Sequence, residues 1–321
     1  MSVHLSESTS ETRDGGPAAV PGQPGAPVLE AVPVRHPGRW VAGALVGVVT
    51  LSVVVSLAKN ENLDWPTVWH YLLSDLVLSG LWTTIWLTAA AMAVGLVGGV
   101  VVAVMRLSPN PVLRVVSGAF VWVFRGTPVL VQLIFWGFLG AFYPTTTIGI
   151  PFTDVVFFEG STSDLVPATV AALLALGLNE MAYASEIIRA GIQSVDAGQT
   201  EAAHSLGMTP GRTMRRIVLP QAMRVIIPPM GNETITMLKT TALVSVISGH
   251  DLMSNIQAAY AQNFKVIPLL VVASIWYLAL TTLLSVPQSW LEARYGRGVA
   301  GARQGAFARL VASRQPKEPI A

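Results

Sequence analysis

The few side chains in this sequence able to do chemistry sit where they are costly. Glu180, Glu186, Glu233 and Lys239 fall inside strongly apolar stretches. An ionisable residue at bilayer depth costs on the order of 2.5–3.5 kcal/mol by insertion scales, so it faces a bundle interior or water. Glu186 and Arg189 are three residues apart, a spacing at which opposite charges meet on a helix. Structural ion pairing accounts for them. Glu233 and Lys239 are six apart and lie on different faces of an ideal helix. Each needs a partner elsewhere, and ion pairing and substrate contact are equally open for both. Glu180 follows Asn179 and has no basic residue one turn away. Its carboxylate is either structural or faces a cavity, where it would hold the ammonium or guanidinium group of a substrate, with Asn179 beside it on the translocation path. Asn232 and Glu233 follow Pro228-Pro229. Prolines free backbone groups inside a helix, and broken helices commonly frame substrate sites near the midplane. The bland alternative is a plain proline kink.

The missing chemistry narrows the function. There is no Cys, hence no disulfide framework and no thiolate metal site. His250-Asp251 has no second His nearby, so no metal is expected. No nucleophile–base set is visible, so no catalytic residue is assigned. No G-x-x-x-x-G-K-[ST] loop occurs to cradle nucleotide phosphates. The chain itself is expected to bind no cofactor, and any ATP-Mg must be bound and hydrolysed by another polypeptide.

The elements that position these residues are membrane helices. Of 321 residues, 52% are hydrophobic and only 12% charged, with a mean hydropathy of +0.56. Soluble domains carry about 25% charged residues. An all-α, polytopic fold of six transmembrane helices is expected. Residues 1–34 are rich in Pro, Gly, Ser and Glu without an apolar run, which predicts a disordered tail. Residues 35–75 hold a first span, Trp40–Ala58, and the start of an interfacial helix over Asp64–Ser79 whose Trp65, Trp69 and Tyr71 suit the headgroup region. Leu81–Met105 is the second span, with Gly95, Gly98 and Gly99 as a close-packing face. Val112–Phe142 is too long for one straight span. Arg125-Gly126-Thr127-Pro128 interrupts it, either as a hinge or gate or as a snorkelling Arg beside a break. Tyr143–Asp164 lacks basic residues and reads as an extracytoplasmic loop. Leu165–Arg189, Met223–Ile247 and Val266–Val286 complete the count, with Pro228-Pro229 expected to break or kink the fifth. Residues 292–321 form a basic tail.

Six spans with both termini in the cytoplasm leave only Lys59 and Lys265 of the 20 basic residues outside. Arg125 and Lys239 fall in or near spans. This satisfies the positive-inside rule and places residues 192–220 in the cytoplasm. Glu201 to Pro220 there reads as two short helices around a turn at Gly207. Thr209-Pro210 is the restart signal and Pro220 closes the second piece. Glu201, near the start of the first, faces the positive end of the macrodipole.

Glu201-Ala202-Ala203, Gly207, Ile217 and Leu219-Pro220 meet the spacing EAA-x3-G-x9-I-x-LP without a gap. The stretch resembles the EAA loop of ATP-binding-cassette (ABC) importer permeases. Further stretches are similar to the polar amino-acid branch of that family: Trp82-Thr83-Thr84; Phe124-Arg125-Gly126-Thr127-Pro128 with Leu130-Val131-Gln132; Ala182-Tyr183, Glu186-Ile187 and Arg189-Ala190-Gly191; and Pro220-Gln221-Ala222, Pro228-Pro229, Gly231-Asn232-Glu233 and Leu238-Lys239. The likeness covers roughly residues 80 to 290.

The resemblance implies a permease domain over 76–291 with a five-helix core, the first span being extra. It implies a plasma (inner) membrane location and uptake of a polar amino acid or close analogue. Implied partners are membrane lipid, two copies of a cytoplasmic ATPase docked on the EAA loop, a second permease subunit (homodimer or heterodimer), and an extracytoplasmic solute-binding protein. No nucleic-acid partner is expected. The alternative is a secondary transporter driven by an ion gradient, for which Glu180 and Glu233 would suit proton coupling. It leaves the EAA-type loop unexplained, and nothing in the sequence suggests an inverted repeat.

Overall fold

The structure, a computed structural model, describes residues 37–150 and 155–295. The tail expected over 1–34, and all but the first residues of the one expected over 292–321, lie outside the described residues. The chain divides into two compact units, residues 1–59 and 60–321. In the first, α1 (Pro37–Ala58) is a 22-residue helix, about 33 Å long. It is apolar enough from Trp40 onward to cross a membrane.

The second unit opens with α2 (Trp65–Leu72). Asp64 stands before it in a left-handed conformation and accepts hydrogen bonds from Thr67 N and Oγ1. Lys265 Nζ donates to the same carboxylate at 2.7 Å and to Thr67 Oγ1 at 2.8 Å. The Lys265 bond first, then Thr67, holds the Asp64 carboxyl below its usual range. A group so depressed contributes stability above its unfolded pKa, about 3.9, and loses it as pH falls through the folded value. Asp64→Asn, which tolerates the same backbone, is expected to lower the thermal midpoint slightly at neutral pH. That gap to wild type should close as the medium is acidified below about pH 4.

The expected interfacial helix over Asp64–Ser79 is split. α2 ends at Leu72, and α3 (Asp75–Leu107) begins earlier than the sequence suggests because Ser74 caps it, accepting from Val77 N. At 33 residues α3 is about 50 Å long. Residues 60–72, grouped by sequence with the first helix, pack in the second unit. Trp276 Nε1 donates to Leu72 O at 2.8 Å, and Asn263 Nδ2 to Tyr71 Oη at 3.2 Å.

α3 lies against α8 (Ala168–Gln193) through small residues. A Cβ on Gly95 would stand 2.3 Å from Glu180 Cγ, and one on Gly99 2.7 Å from Ala184 Cβ. A core of Leu87, Ala91, Leu133, Ala172, Ala175, Leu176, Met237 and Val244 forms around this seam. α4 (Pro111–Gly126) and α5 (Val129–Gly137) are bent by 99° to one another at Thr127-Pro128, where the sequence placed its break. After the short α6 (Leu139–Phe142), the stretch expected to be an extracytoplasmic loop carries an antiparallel hairpin. β1 (Thr145–Gly149) pairs with β2 (Val156–Ser161), Thr147 facing Glu159. The sequence reading missed it. α7 (Thr162–Leu165) then leads to α8.

One expectation about prolines fails, and a second is narrowed. After α9 (Ala197–Ser205), α10 (Pro210–Thr213) passes through a π-helical stretch, Met214–Val218, straight into α11 (Leu219–Thr240). Pro220 does not close a helix. The wide turn shifts the ladder, Leu219 N donating to Met214 O, and Gln221 Nε2 donates back to Ile217 O at 2.9 Å. Such bulges accommodate a missing donor. Pro228 and Pro229 lie inside α11, which continues as one helix without a break. Gln288, on α13 (Val266–Tyr295), donates to Pro228 O at 2.7 Å. A 3-10 stretch, Thr241–Ile247, and α12 (Leu252–Asn263), which the sequence reading did not assign, complete the chain.

Among the described residues, four helices are long and apolar enough to cross a membrane: α1 from Trp40, α3, α8 and α13. The bent pair α4–α5 makes a fifth. α11, the expected fifth span, is not among them, so the count of six stays an expectation.

Candidate functional site

Glu180 sits on α8 with its side chain buried, 3% exposed, and its Oε1 without a hydrogen-bond partner. It lines a cavity of about 540 Å³ together with Arg125, Asn179, Tyr183 and Glu233. Three elements build the cavity. α8 presents Leu176, Asn179, Glu180 and Tyr183. The α4–α5 break contributes Arg125 through Val129, and α11 contributes Glu233, Thr236, Met237 and Thr240. The bend at Thr127-Pro128 turns the end of α4 inward. Arg125 stacks over Tyr183, its guanidinium carbon 4.9 Å from the ring centroid, a cation–π geometry. Arg125, placed by the sequence at a hinge, gate or interface, is thus on the cavity wall. It shares one cavity with Glu180 and Glu233, and among the described residues none of the three is in a salt bridge. A concave site with a cation at one wall and two carboxylates at others suits a ligand carrying both charges.

The remaining residues singled out in the sequence fall in several places. Asn179 lines the cavity, but its amide donates to Phe124 O at 2.9 Å and to Gln132 Oε1 at 3.4 Å. Asn232 is exposed and does not line it. Gly126, Thr127 and Pro128 do, whereas Pro228 and Pro229 do not. Glu186 pairs with Arg189 at 2.7 Å, as the spacing predicted, and also with Arg106 of α3 at 3.2 Å. Lys239 is exposed and forms no ion pair among the described residues. Tyr183, Gln132, Thr236 and Thr240 were missed. Each is an ordinary helix residue until the tertiary fold brings Tyr183, Thr236 and Thr240 to the cavity and Gln132 to the break beside it. His250-Asp251 is a helix start, Asp251 accepting from Met253 N and Ser254 N. Among the described residues no cluster could hold a metal.

The second site is the α9–α10 loop. Asp196 caps α9 by accepting from Gly198 N at 2.7 Å. Gly207 then takes a positive φ of 77°. Its N–H donates to His204 O, and that of Met208 to Ala203 O, at 2.9 and 3.1 Å. These two bonds are the Schellman arrangement, in which Gly has no steric penalty. Thr209 precedes Pro210 without a side-chain cap bond. Glu201 is the fifth residue of α9, beyond the first turn where the macrodipole acts, which removes that argument for its place. It is exposed with Ala202, while Ala203 is 4% exposed and anchors the helix. Leu206, which the sequence reading passed over, projects with 83% exposure. Val218, in the π turn, is buried; Ile217 is half-buried, and Leu219 and Pro220 are exposed. Gly211, Arg212, Arg215 and Arg216 surround a second recess of about 420 Å³.

This arrangement has close relatives. Residues 95–297 match the family model described as binding-protein-dependent transport system inner membrane component. The chain is 44% identical to the arginine transport system permease protein ArgU of Corynebacterium glutamicum, over 88% of this chain and 87% of that protein. It is 36% identical to the L-cystine transport system permease protein TcyB of Bacillus subtilis, over 78% and 96%. Among solved structures it resembles a crystal structure of an amino acid ABC transporter with histidines, at 37% identity and a TM-score of 0.57, covering 68% of this chain and 94% of that one. The gradient-driven alternative finds no support among these relatives. Family model and relatives agree, and the chain belongs to the family of binding-protein-dependent transport system inner membrane components.

Proposed function

We propose that this chain is the permease subunit of an ATP-driven ABC importer, and that it passes a cationic amino acid of the arginine class into the cytoplasm. The buried, unpartnered Glu180 carboxylate in the cavity carries the reading. An uncompensated carboxylate there is expensive, and a ligand's guanidinium or ammonium group supplies the missing partner. Arg125 takes the ligand's carboxylate, with Glu233 near the cationic end. The name of the 44% identical relative, an arginine permease, agrees, and that of the cystine permease supports the amino-acid class alone. In this reading α11 is the sixth span. Its low hydropathy follows from Glu233, Thr236 and Thr240 facing the cavity rather than lipid. Both termini are cytoplasmic, and the protein resides in the inner membrane.

Transport needs two access states and a bias between them. Two copies of an ATPase subunit bind and hydrolyse ATP-Mg, and this chain binds no cofactor of its own. Each ATPase seats the α9–α10 loop through Glu201, Ala202 and Leu206, with Gly207 setting the turn. A second permease subunit completes the path, and a solute-binding protein delivers the ligand from outside. ATP closure draws the two loops together and rocks the bundles around the cavity.

The test is co-purification from the native membrane, wild type beside Glu201→Arg, followed by an ATPase assay with arginine or glutamate and the cognate binding protein. Wild type should bring down an ATPase whose hydrolysis rises with arginine and not with glutamate, and the variant should lose it. A wild-type chain that purifies alone and hydrolyses nothing sinks the importer reading. Stimulation by glutamate alone sinks the cationic assignment.

A further inference from the structure

Pro128 has no N–H, so it cannot donate to the carbonyl four residues back, Phe124 O. That carbonyl lies in the last turn of α4, at the break that turns Arg125 into the cavity. It is not left bare. Gln132 Nε2, from α5, donates to it at 2.9 Å, and Asn179 Nδ2, from α8, also at 2.9 Å. The same Gln132 nitrogen reaches Thr127 O at 3.2 Å and Thr127 Oγ1 at 2.9 Å. Gln132 Oε1 in turn faces Asn179 Nδ2 at 3.4 Å. Gln132 is 7% exposed, so these bonds are made away from solvent, where an unmade one is expensive. Two side-chain amides from two helices thus replace the donor that Pro128 lacks, and they fasten the residue next to Arg125. Asn179 lines the cavity, yet its amide nitrogen is engaged by Phe124 O and Gln132 Oε1 rather than free for a ligand.

We infer that Gln132 and Asn179 are positioning residues. They fix the bent end of α4 so that Arg125 lies over Tyr183, and through Arg125 they set the affinity for the carboxylate end of the substrate. The inference rests on the proposed amino-acid reading of the cavity. It makes a distinction that a merely structural role does not. Loss of either amide should weaken ligands that have a carboxylate and spare those that lack one.

The experiment is equilibrium binding of radiolabelled arginine and agmatine to the purified permease–ATPase complex without its binding protein. Agmatine keeps the guanidinium and lacks the carboxylate. Gln132→Met should weaken arginine about tenfold and change agmatine less than about twofold. Combined with Arg125→Met, it should add nothing to the loss from Arg125→Met alone, because both remove the same contact. Asn179→Leu is the second variant, with the same expected signature, and stands in should Gln132→Met fail to fold. Equal weakening of both ligands, or losses that add to those of Arg125→Met, would overturn the positioning role while leaving the amino-acid reading intact. A wild-type complex that binds neither ligand overturns both.

Discussion

Glu180→Gln is expected to cut the apparent affinity for a cationic substrate about 30- to 150-fold, while the protein keeps or slightly gains thermal stability. The two effects part because of where Glu180 sits. The side chain is 3% exposed and its Oε1 has no partner, so the folded protein invests nothing in a bond that the substitution would break. Gln has nearly the same volume and carries no charge, so burying it is easier than burying a carboxylate. The ligand's guanidinium or ammonium group would lose a charge-assisted hydrogen bond worth about 2–3 kcal/mol. At 1.4 kcal/mol per factor of ten, that sets the expected range. Binding of labelled arginine to the purified complex, beside a thermal melt, reads both. A large drop in the melt with unchanged binding would make Glu180 a structural residue whose partner forms only in another state. Agmatine should suffer as much as arginine, since both present the same cation. That pattern separates Glu180 from the Arg125 end of the cavity.

The residues of this cavity were only partly legible. Glu180 drew notice because a carboxylate in an apolar run is rare, and the Thr127-Pro128 break because proline chemistry is local. That Arg125 and Glu180, 55 positions apart, share one space is a tertiary fact. It depends on a 99° bend, whose sense and size no residue spacing dictates. Asn179 was read as facing a ligand, and the structure turns its amide to the main chain. Asn232 was drawn in by its neighbour Glu233, but successive helical residues point about 100° apart.

The fold shows the same division. Long apolar runs fixed α1, α3, α8 and α13 well. Gly207 announced its turn because a left-handed residue wants glycine. Pro220 misled because a π stretch reroutes hydrogen bonds around it, and such stretches leave little trace in composition. At Pro228-Pro229 the helix runs on without a break, and Gln288, 60 residues on, donates to Pro228 O. The β1–β2 hairpin was overlooked although Thr145, Thr146, Thr147, Ile148, Val156, Phe157 and Phe158 are strand-forming types. Its lack of basic charge had already explained the segment as a loop. Membrane apolarity also hides periodicity: when lipid and core are both apolar, a helix face leaves no pattern to read.

Gly95→Ala is expected to be among the most disruptive single-methyl changes available in this chain. α3 and α8 are tightly packed here, and the new Cβ would stand 2.3 Å from Glu180 Cγ, 2.6 Å from its Cβ and 3.2 Å from its backbone carbon. A flexible side-chain tip could swing away. These atoms cannot, since two lie at the root of the side chain and the third is main chain. Relief requires α8 to move as a body, and α8 carries Glu180, Asn179 and Tyr183 on the cavity wall. Overpacking of this kind costs about 1–3 kcal/mol, a fall of about 2–12 °C in the thermal midpoint for a unit of this size. Displacement of the cavity wall should also cost arginine binding in whatever fraction still folds. Gly126→Ala is the control. Gly126 lines the same cavity, and the sequence reading gave it a hinge role, yet nothing lies within 4 Å of where its Cβ would be. It closes α4 without a left-handed φ, so alanine should be tolerated in both melting and binding. A Gly126→Ala variant that fails while Gly95→Ala passes would mean that the α3–α8 seam is looser than these distances require, and that the break at Thr127-Pro128 moves during transport.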